Sequence, residues 1–358
     1  MAQRHLDPTT PLTGPAPTGD ALAGYLRAQA TEFLRALRLH RETGPGAGAS
    51  DGSADAARAL RRSARRISAS LHTFQSLLDT DWCEGMRPEL AWVSGTLAME
   101  HAYTSRLERL LNALHRLSGS TALPGQTAAA AAPTKASAPA HQTSAPERGN
   151  LTVGAAKAGA LLDRQLNLAR TRAHSTALQA LGSSRFHAIA DKVAVLASEV
   201  PLTKTAVTTD LRPLATSAEG RLTDAVAALP LVTAGNPYNA SALVHGLSPD
   251  TVPHPQDAPW HQVRLLLRLH RYAREALRGE TDGNAVVDLR LLSAGQALNR
   301  HRDASEAAAA AAQAARTPRI APATAYALGV LHADQRHEVE AARFAFQQCW
   351  QKETVSTS

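Results

Sequence analysis

Two segments of the chain place basic residues at the spacing of one face of an α-helix. The first segment carries Arg58, Arg61, Arg62, Arg65 and Arg66. The second lies about two hundred residues later and carries His261, Arg264, Arg268 and Arg271. Residues three or four positions apart are neighbours on a helix surface, so each set forms a column of cations along its helix. We call these sets the first and the second basic column, and any fold of this chain has to contain helices over both.

The rest of the sequence also favours helices over strands. Aromatic residues make up only 4% of the 358 residues, whereas Ala, a strong helix former, is abundant. Apolar residues recur at helical spacing from about residue 20 and again, in several stretches, from about residue 153. We therefore predict an all-α protein, with one long helix over residues 82–117 and another over residues 202–229.

Two segments are not expected to form helices. Residues 1–19 contain four prolines among Thr and Gly, which prevents a helix and predicts a disordered leader. Residues 118–150 consist mainly of Ala, Pro, Thr, Ser and Gln. This composition has too little apolar surface to offset the entropy of ordering the chain, so it predicts a mobile loop.

The order of the predicted elements repeats along the chain. A leading helix, the helix with a basic column, a long helix and a closing helix occur once over residues 20–181 and again over residues 184–352. The simplest architecture is a pair of four-helix bundles, built of long antiparallel helices and related by approximate two-fold symmetry. In that architecture the two basic columns face each other and line one groove.

Arginine columns favour a linear polyanion as the ligand. The planar guanidinium group binds two phosphate oxygens at once, so a stack of such groups suits a chain of phosphates better than a small molecule. The formal net charge of +7 and the sequence pI of about 9.8 agree with a negatively charged partner. Charge alone leaves nucleic acid, anionic lipid and polyphosphate open.

The sequence gives no signal for catalysis, metal binding or a membrane span. It has no nucleophile elbow after a predicted strand, no Gly-rich phosphate loop and no run of 18 apolar residues. Cys83 and Cys349 each lack a second thiol nearby. We expect no catalytic residue, no metal, no cofactor and a cytoplasmic location. The carboxylates nearest the columns, Asp55, Glu275 and Asp303, are expected to cap helices or form salt bridges.

At these residues the chain resembles the CHAD family, the conserved histidine α-helical domain, over roughly residues 20–352. Each half of that family carries a His-x-x-Arg-x-x-x-Arg/Lys-Arg type of signature on its second helix. The second half is similar to it at His261, Arg264, Arg268 and Arg271-Tyr272, and the first half at Arg61, Arg65 and Arg66. The segment His301-Arg302-Asp303-Ala304 resembles the motif on the long helix of the second half.

The resemblance implies a module that binds inorganic polyphosphate and associates with polyphosphate granules, with polyphosphate-metabolising or CYTH-type proteins as candidate partners. The two columns would supply the main contacts, with Arg58, Arg62 and Arg302 as secondary ones. Two positions depart from the family pattern, because Arg58 stands where the first histidine is expected and His101-Ala102 where an Arg-Asp pair is expected. We expect binding to survive with unequal contributions from the two halves.

Two further functions stay open at this point. A DNA- or RNA-binding protein would use the same groove, although the columns lack the interleaved aromatic residues that stack on single-stranded bases. An adaptor would instead bind an acidic segment of another protein. In each case the chain is expected to bind its partner without catalysing a reaction.

Overall fold

The computed structural model describes residues 18–43, 51–119, 145–236, 247, 254–278 and 288–351. Its helices are α1 (Gly19–Glu42), α2 (Asp51–Thr73), α3 (Thr80–Thr96), α4 (Met99–Leu117), α5 (Ala145–Leu181), α6 (Ser184–Ser198), α7 (Arg212–Ala227), α8 (Leu231–Ala234), α9 (Ala258–Arg278), α10 (Leu289–Ala315) and α11 (Pro322–Gln351). Short 3-10 turns span Gln75–Leu77 and Pro255–Asp257. Over the described ranges, β pairing is limited to an isolated bridge between Leu78 and Leu202. The prediction of an all-α protein is confirmed.

The chain forms two compact units that interleave along the sequence. The first unit consists of Met1–Ser94, Ser184–Arg221 and Leu269–Val286, and the second of Gly95–Ser183, Leu222–Arg268 and Val287–Ser358. Each unit therefore takes segments from both predicted halves, 20–181 and 184–352. Helix α9 contributes its first part to the second unit and its last part to the first unit. The two-fold relation between bundles stays a prediction.

In the first unit, α1 packs against α2 and α6. Helix α1 buries Leu22, Leu26 and Phe33, which are spaced by four and seven positions and so share one face. Helix α2 buries a stripe that includes Leu60 and Ile67. Because this stripe takes up one side of α2, the first basic column is left on the remaining surface of the helix.

In the second unit, α10 packs along α11, and α5 packs against α4 and α11. Small side chains of α10, among them Ala307, Ala311 and Ala314, are fully buried in this core. Helix α5 approaches α11 closely at Gly154, where an added Cβ atom would lie 2.2 Å from the carbonyl oxygen of Ala323. Only glycine permits this approach without a shift of backbone.

The structure corrects the predicted helix over residues 82–117. The chain leaves the helical path at residues 97 and 98, so that α3 and α4 are separate helices. The amide of Ala98 donates to the carbonyl of Gly95 at 3.0 Å, which is the tighter i to i+3 bond of a turn. Glycine is a poor helix former, and here it lies at the end of α3 where the helix stops.

The predicted helix over residues 202–229 begins ten residues later, at Arg212. The preceding segment pairs instead with the turn after α2, because Thr203 N donates to Leu77 O and Asp79 N donates to Pro201 O, each at 2.9 Å. The side chain of Asp210 then accepts from the amide of Arg212 at 2.9 Å at the start of α7. Long-range backbone pairing has overridden the local helical pattern.

The predicted loop over residues 118–150 is too long at its end, because α5 already begins at Ala145. Residues 120–144 of that loop lie outside the described residues. The same holds for residues 1–17 of the predicted leader, and α1 begins at Gly19.

Candidate anion-binding site

The first basic column lies on α2 in the first unit. Arg58 and Arg62 are exposed, whereas Arg61, Arg65 and Arg66 are half-buried. Arg58 forms an ion pair with Asp55 one turn earlier on the same helix. Such exposed pairs contribute little to stability, so Arg58 can exchange this partner for another anion at little cost.

Arg66 differs from the rest of the column because it is held by a carboxylate. Its Nε lies 2.7 Å from Glu275 Oε2, and its guanidinium lies over the ring of Tyr272, 5.4 Å from the ring centroid. The hydroxyl of Tyr25 donates to the same carboxylate oxygen at 3.3 Å. Burial and the charge of Glu275 raise the pKa of Tyr25. Arg66 is therefore an internal contact of the first unit as much as a candidate ligand contact.

Helix α9 brings Arg271 into this unit, on the turn before Glu275. Arg271 is half-buried, as is Arg65 on α2. The buried Nε atom of Arg65 has no hydrogen-bond partner among the described residues. The first unit thus holds Arg58, Arg61, Arg62, Arg65, Arg66 and Arg271 of the predicted site residues.

The second basic column supplies His261, Arg264 and Arg268 to the second unit, where α10 adds Arg302. All four side chains are half-buried. Burial and the nearby charges of Arg268 and Arg302 lower the pKa of Arg264 to about 10. Since these causes disfavour the charged form of Arg264, this group of cations stores an electrostatic cost that a bound anion would remove.

Arg264 forms no salt bridge with any described residue. Its Nη1 donates weakly to the amide oxygen of Asn299 at 3.5 Å, and its buried Nε has no hydrogen-bond partner there. Two acids act on Arg264 through their charge, Glu306 and Asp303. Glu306 is already engaged by Arg302 at 2.7 Å and by Arg106 of α4, whereas Asp303 forms no salt bridge with the described residues. Although burial raises the pKa of Glu306, these two arginines lower it overall. Glu306 is thus neutralised by other cations.

His261 begins the second column in the first turn of α9. Its pKa is lowered mainly by burial, while the charges of Asp257 and Glu306 act in the opposite direction. The ring of His261 packs edge-to-face against the ring of His301, with 5.5 Å between centroids. The buried Nε2 atom of His261 has no hydrogen-bond partner among the described residues.

A buried polar network under the second column was not predicted. Asp257 is fully buried and accepts from Arg336 at 2.8 Å, from Arg343 at 2.6 Å and from the hydroxyl of Ser305. Arg343 also pairs with Glu340 at 2.7 Å. Burial tends to raise the pKa of Asp257, but the Arg336 guanidinium outweighs it and holds that pKa well below its usual range.

The sequence does contain a signal for this network. Arg336, Glu340 and Arg343 recur at helical spacing within the apolar face of α11, where charged residues need partners if they are to be buried. The acidic partner, Asp257, lies 79 and 86 residues away from the two arginines. No local pattern connects groups at that separation.

The roles predicted for the nearby carboxylates are partly confirmed. Asp55 and Glu275 form salt bridges, with Arg58 and Arg66 respectively. Asp303 forms neither a cap nor a salt bridge with the described residues, because it lies in the middle of α10 and is exposed. That part of the prediction was wrong.

The position of the missing Arg-Asp pair lies near the start of α4. His101 is exposed, and its Nε2 lies 3.5 Å from the hydroxyl of Ser105. Further along α4, Arg106 pairs with Glu306 and Arg109 donates to Gln335 at 2.7 Å. Arginines one and two turns later on α4 therefore reach α10 and α11, which the sequence analysis missed.

The structure brings the predicted site residues together in two groups, one in each unit, and the single groove expected between the columns stays a prediction. Within the described ranges, no group of three or more His, Cys, Asp or Glu side chains is arranged to hold a metal ion. None of the described helices is both long and apolar enough to cross a membrane.

Fold and site together define an all-helical protein with partly buried clusters of arginine and histidine. The CHAD domain matches residues 28–312, so the chain belongs to the CHAD domain family. This family is known generally for its association with polyphosphate. The resemblance stated from the sequence is confirmed.

A solved structure, that of PptA from Streptomyces chartreusis, is similar to this chain, with 76% sequence identity and a TM-score of 0.75. The similarity covers 94% of this chain and 100% of the PptA chain. A comparison with curated proteins gave no match.

Proposed function

We propose that this protein binds inorganic polyphosphate, and that the cation cluster of His261, Arg264, Arg268 and Arg302 in the second unit is a principal contact site. The observation that carries the proposal is the state of Arg264. It is half-buried beside two other arginines, and its pKa is lowered to about 10 by burial and by those arginines. Arg264 forms no salt bridge with a described residue, and Glu306, one of the two acids that act on it, is held by Arg302 and Arg106. A phosphate oxygen is the partner that such a guanidinium lacks.

The family association supports a polyphosphate rather than another polyanion. The aromatic side chains next to the second column are also poorly placed for base stacking, because Trp260 is buried in the core of the second unit and the ring of half-buried Tyr272 is covered by Arg66. Nucleic acid and an acidic protein segment remain the alternatives that a binding experiment has to test.

The proposed role is binding without hydrolysis. Hydrolysis of a phosphoanhydride usually requires carboxylates that hold a metal ion against the substrate. Of the described carboxylates next to the cations, Glu275 and Glu306 are instead held by arginines. Asp303 is not held in this way, but it belongs to no group of three or more described His, Cys, Asp or Glu side chains that could hold a metal ion. Phosphate release from long-chain polyphosphate, measured with Mg²⁺ present, tests this part of the proposal, and turnover above the buffer blank would contradict it.

The central experiment is calorimetric titration of the full chain with long-chain polyphosphate. We expect the double variant R264A/R268A to bind at least about tenfold more weakly, which corresponds to the loss of two charge-assisted contacts. Helical content should be unchanged, because both side chains are only half-buried and the buried face of α9 is formed by other residues.

A matched control removes the same charge from the same unit. Arg170 and Arg172 are exposed on α5, and R170A/R172A also lowers the net charge by two. If affinity depended only on net charge, the two double variants would weaken binding equally. That outcome, or unchanged affinity of R264A/R268A, would remove the second column as the site.

We further propose that this binding places the protein at polyphosphate granules. A fluorescent fusion of the full chain should then form foci that coincide with the granules. The R264A/R268A fusion should be diffuse, whereas the R170A/R172A fusion should keep the foci. Foci that are independent of both pairs would assign the targeting to another surface.

A further inference from the structure

The imidazoles of His261 and His301 are in contact, but they lie in different surroundings. His261 is half-buried at the start of the second column, next to Arg264 on its own helix and to Arg302 and Glu306 on α10. His301 is only 1% exposed, and its ring stacks on Trp260 with 5.7 Å between centroids. The two histidines therefore form an outer and an inner position of one pair.

The buried network favours the neutral form of His301. Arg343 Nε donates to His301 Nε2 at 3.3 Å, and an arginine has no acceptor, so this bond requires an Nε2 without a proton. The neutral ring then holds its proton on Nδ1, which has no hydrogen-bond partner among the described residues. The carboxylate of Asp257 faces the same nitrogen, with 3.6 Å between Oδ1 and Nε2, and its charge acts against that of Arg343. Burial, and next to it the charge of Arg343, lower the pKa of His301 to about 3. Arg343 in turn is held by Asp257 and Glu340. Burial and the charges of Arg343 and Arg336 thus favour the neutral form of His301 over its cation.

The neutral ring of His301 affects the protonation of His261. Two imidazoles in contact cannot both be cations without strong repulsion. Because the guanidiniums of Arg343 and Arg336 act on His301, a proton shared between the pair is directed to His261. The pKa of His261 is lowered by burial and by the charges of Arg264 and Arg302, and it is raised by the charges of Asp257 and Glu306. A bound phosphate would raise it further.

We propose that His301 is a positioning residue for the anion site of the second unit. The ring of His301 holds the ring of His261 in place, and His261 is the imidazole that becomes protonated when a phosphoryl anion binds. This inference rests on the proposed function. Beyond polyphosphate binding itself, the inference states that binding is accompanied by uptake of a proton at His261, so that affinity increases as the pH falls.

The test compares affinities for tripolyphosphate at pH 8 and pH 6, with the full-length chain and three variants. In H261Q the outer imidazole is lost, and the ratio of wild-type to H261Q affinity cancels the titration of the ligand itself. In H301Q the amide oxygen can still accept from Arg343, and the side chain has no charge at either pH. H332Q is the control, because His332 is a half-buried histidine of the same unit whose Nδ1 contacts Ala308 O at 3.0 Å.

We expect the affinity of the wild-type protein, relative to H261Q, to rise from pH 8 to pH 6. The rise should be about tenfold for each unit by which the anion raises the pKa of His261. H301Q should lose most of this rise, and H332Q should keep it. A histidine that only stabilised the fold would lower the melting temperature without changing this pH profile.

Two results would overturn the inference. H301Q could show the full rise of the wild-type protein, or the wild-type protein could show no rise over H261Q. In each of these cases tripolyphosphate still binds and the proposed function stands. If tripolyphosphate and long-chain polyphosphate fail to bind the wild-type protein at both pH values, the proposed function itself fails.

Discussion

At the scale of single residues, the arginines of the two columns differ in what they can still bind. Arg66 is committed to Glu275, and Arg58 is paired only with the exposed Asp55. Arg264 has a neutral amide as its partner. The helical spacing of the sequence predicted the columns, but it could not predict these differences, because Glu275 lies 209 residues from Arg66.

The network around Asp257 shows the same limit. Its members are ordinary polar residues in the sequence, and they become a unit only when the turn before α9 meets α10 and α11. Buried charges of this kind destabilise the fold unless each one keeps its partner, because removal of one partner leaves the others desolvated and unpaired.

We expect D257N to lower the free energy of unfolding by about 3 to 5 kcal/mol, since it leaves Arg336 and Arg343 without their shared carboxylate. Urea denaturation at pH 7, followed by circular dichroism, measures this change. The control is D55N, which removes an exposed carboxylate from its pair with Arg58 and should change stability by less than about 1 kcal/mol. Equal effects of the two substitutions would contradict the role given to the network.

The carboxylate of Asp257 also makes the free energy of unfolding decrease at acidic pH. The pKa of Asp257 is lower in the folded protein than its ordinary value of 3.8, so the unfolded chain binds its proton first as the pH falls. The stabilisation from Asp257 is therefore present at pH 7 and begins to decline as the pH approaches 4. Denaturation curves from pH 7 to pH 3 should fall more steeply for the wild-type protein than for D257N, and parallel curves would exclude this contribution.

At the scale of secondary structure elements, apolar periodicity predicts helices over about residues 20–40, 184–197, 259–279 and 324–351. Helices α1, α6, α9 and α11 begin and end within a few residues of these bounds. The predicted helices over residues 82–117 and 202–229 were wrong in their extent, for physical reasons. Helix α3 ends at Thr96, one residue after the poor helix former Gly95, and the segment before α7 is held by backbone bonds to residues that follow α2. Such bonds join parts of the chain more than one hundred residues apart, which local spacing does not record.

The close contact between α5 and α11 predicts that a larger side chain at Gly154 destabilises the packing of these two helices. G154A would place a Cβ atom 2.2 Å from the carbonyl oxygen of Ala323 and force the two helices apart. We expect a loss of about 1 to 3 kcal/mol in unfolding free energy, as for other overpacked cores. G329A on α11 is the matched control, because its Cβ meets nothing within 4 Å and alanine is the better helix former. Thermal denaturation should show a lower midpoint for G154A and an unchanged or higher midpoint for G329A.

At the scale of the whole molecule, the sequence repeat and the compact units are different divisions of the same chain. The repeat follows the order of elements, whereas the units collect segments from both halves, because helices packed side by side need not be neighbours in sequence. The predicted contributors to the site are consequently shared between the units, with Arg271 in the first unit and the remainder of the second column in the second. Composition predicted the charge of the molecule, but only the fold shows which cations are gathered and partly buried.

The net charge of +7 predicts that every polyanion is attracted, so salt dependence has to separate general attraction from a built site. Each arginine that contacts a phosphate releases about one counterion, and the slope of log affinity against log salt concentration counts these contacts. We expect R264A/R268A to reduce the magnitude of that slope for polyphosphate by about two, whereas R170A/R172A should leave it nearly unchanged. Duplex DNA of matched charge should bind more weakly, and short polyphosphate should displace it. Equal slopes for both double variants, together with equal affinity for DNA, would mean that the cation cluster acts only through the overall field of the protein.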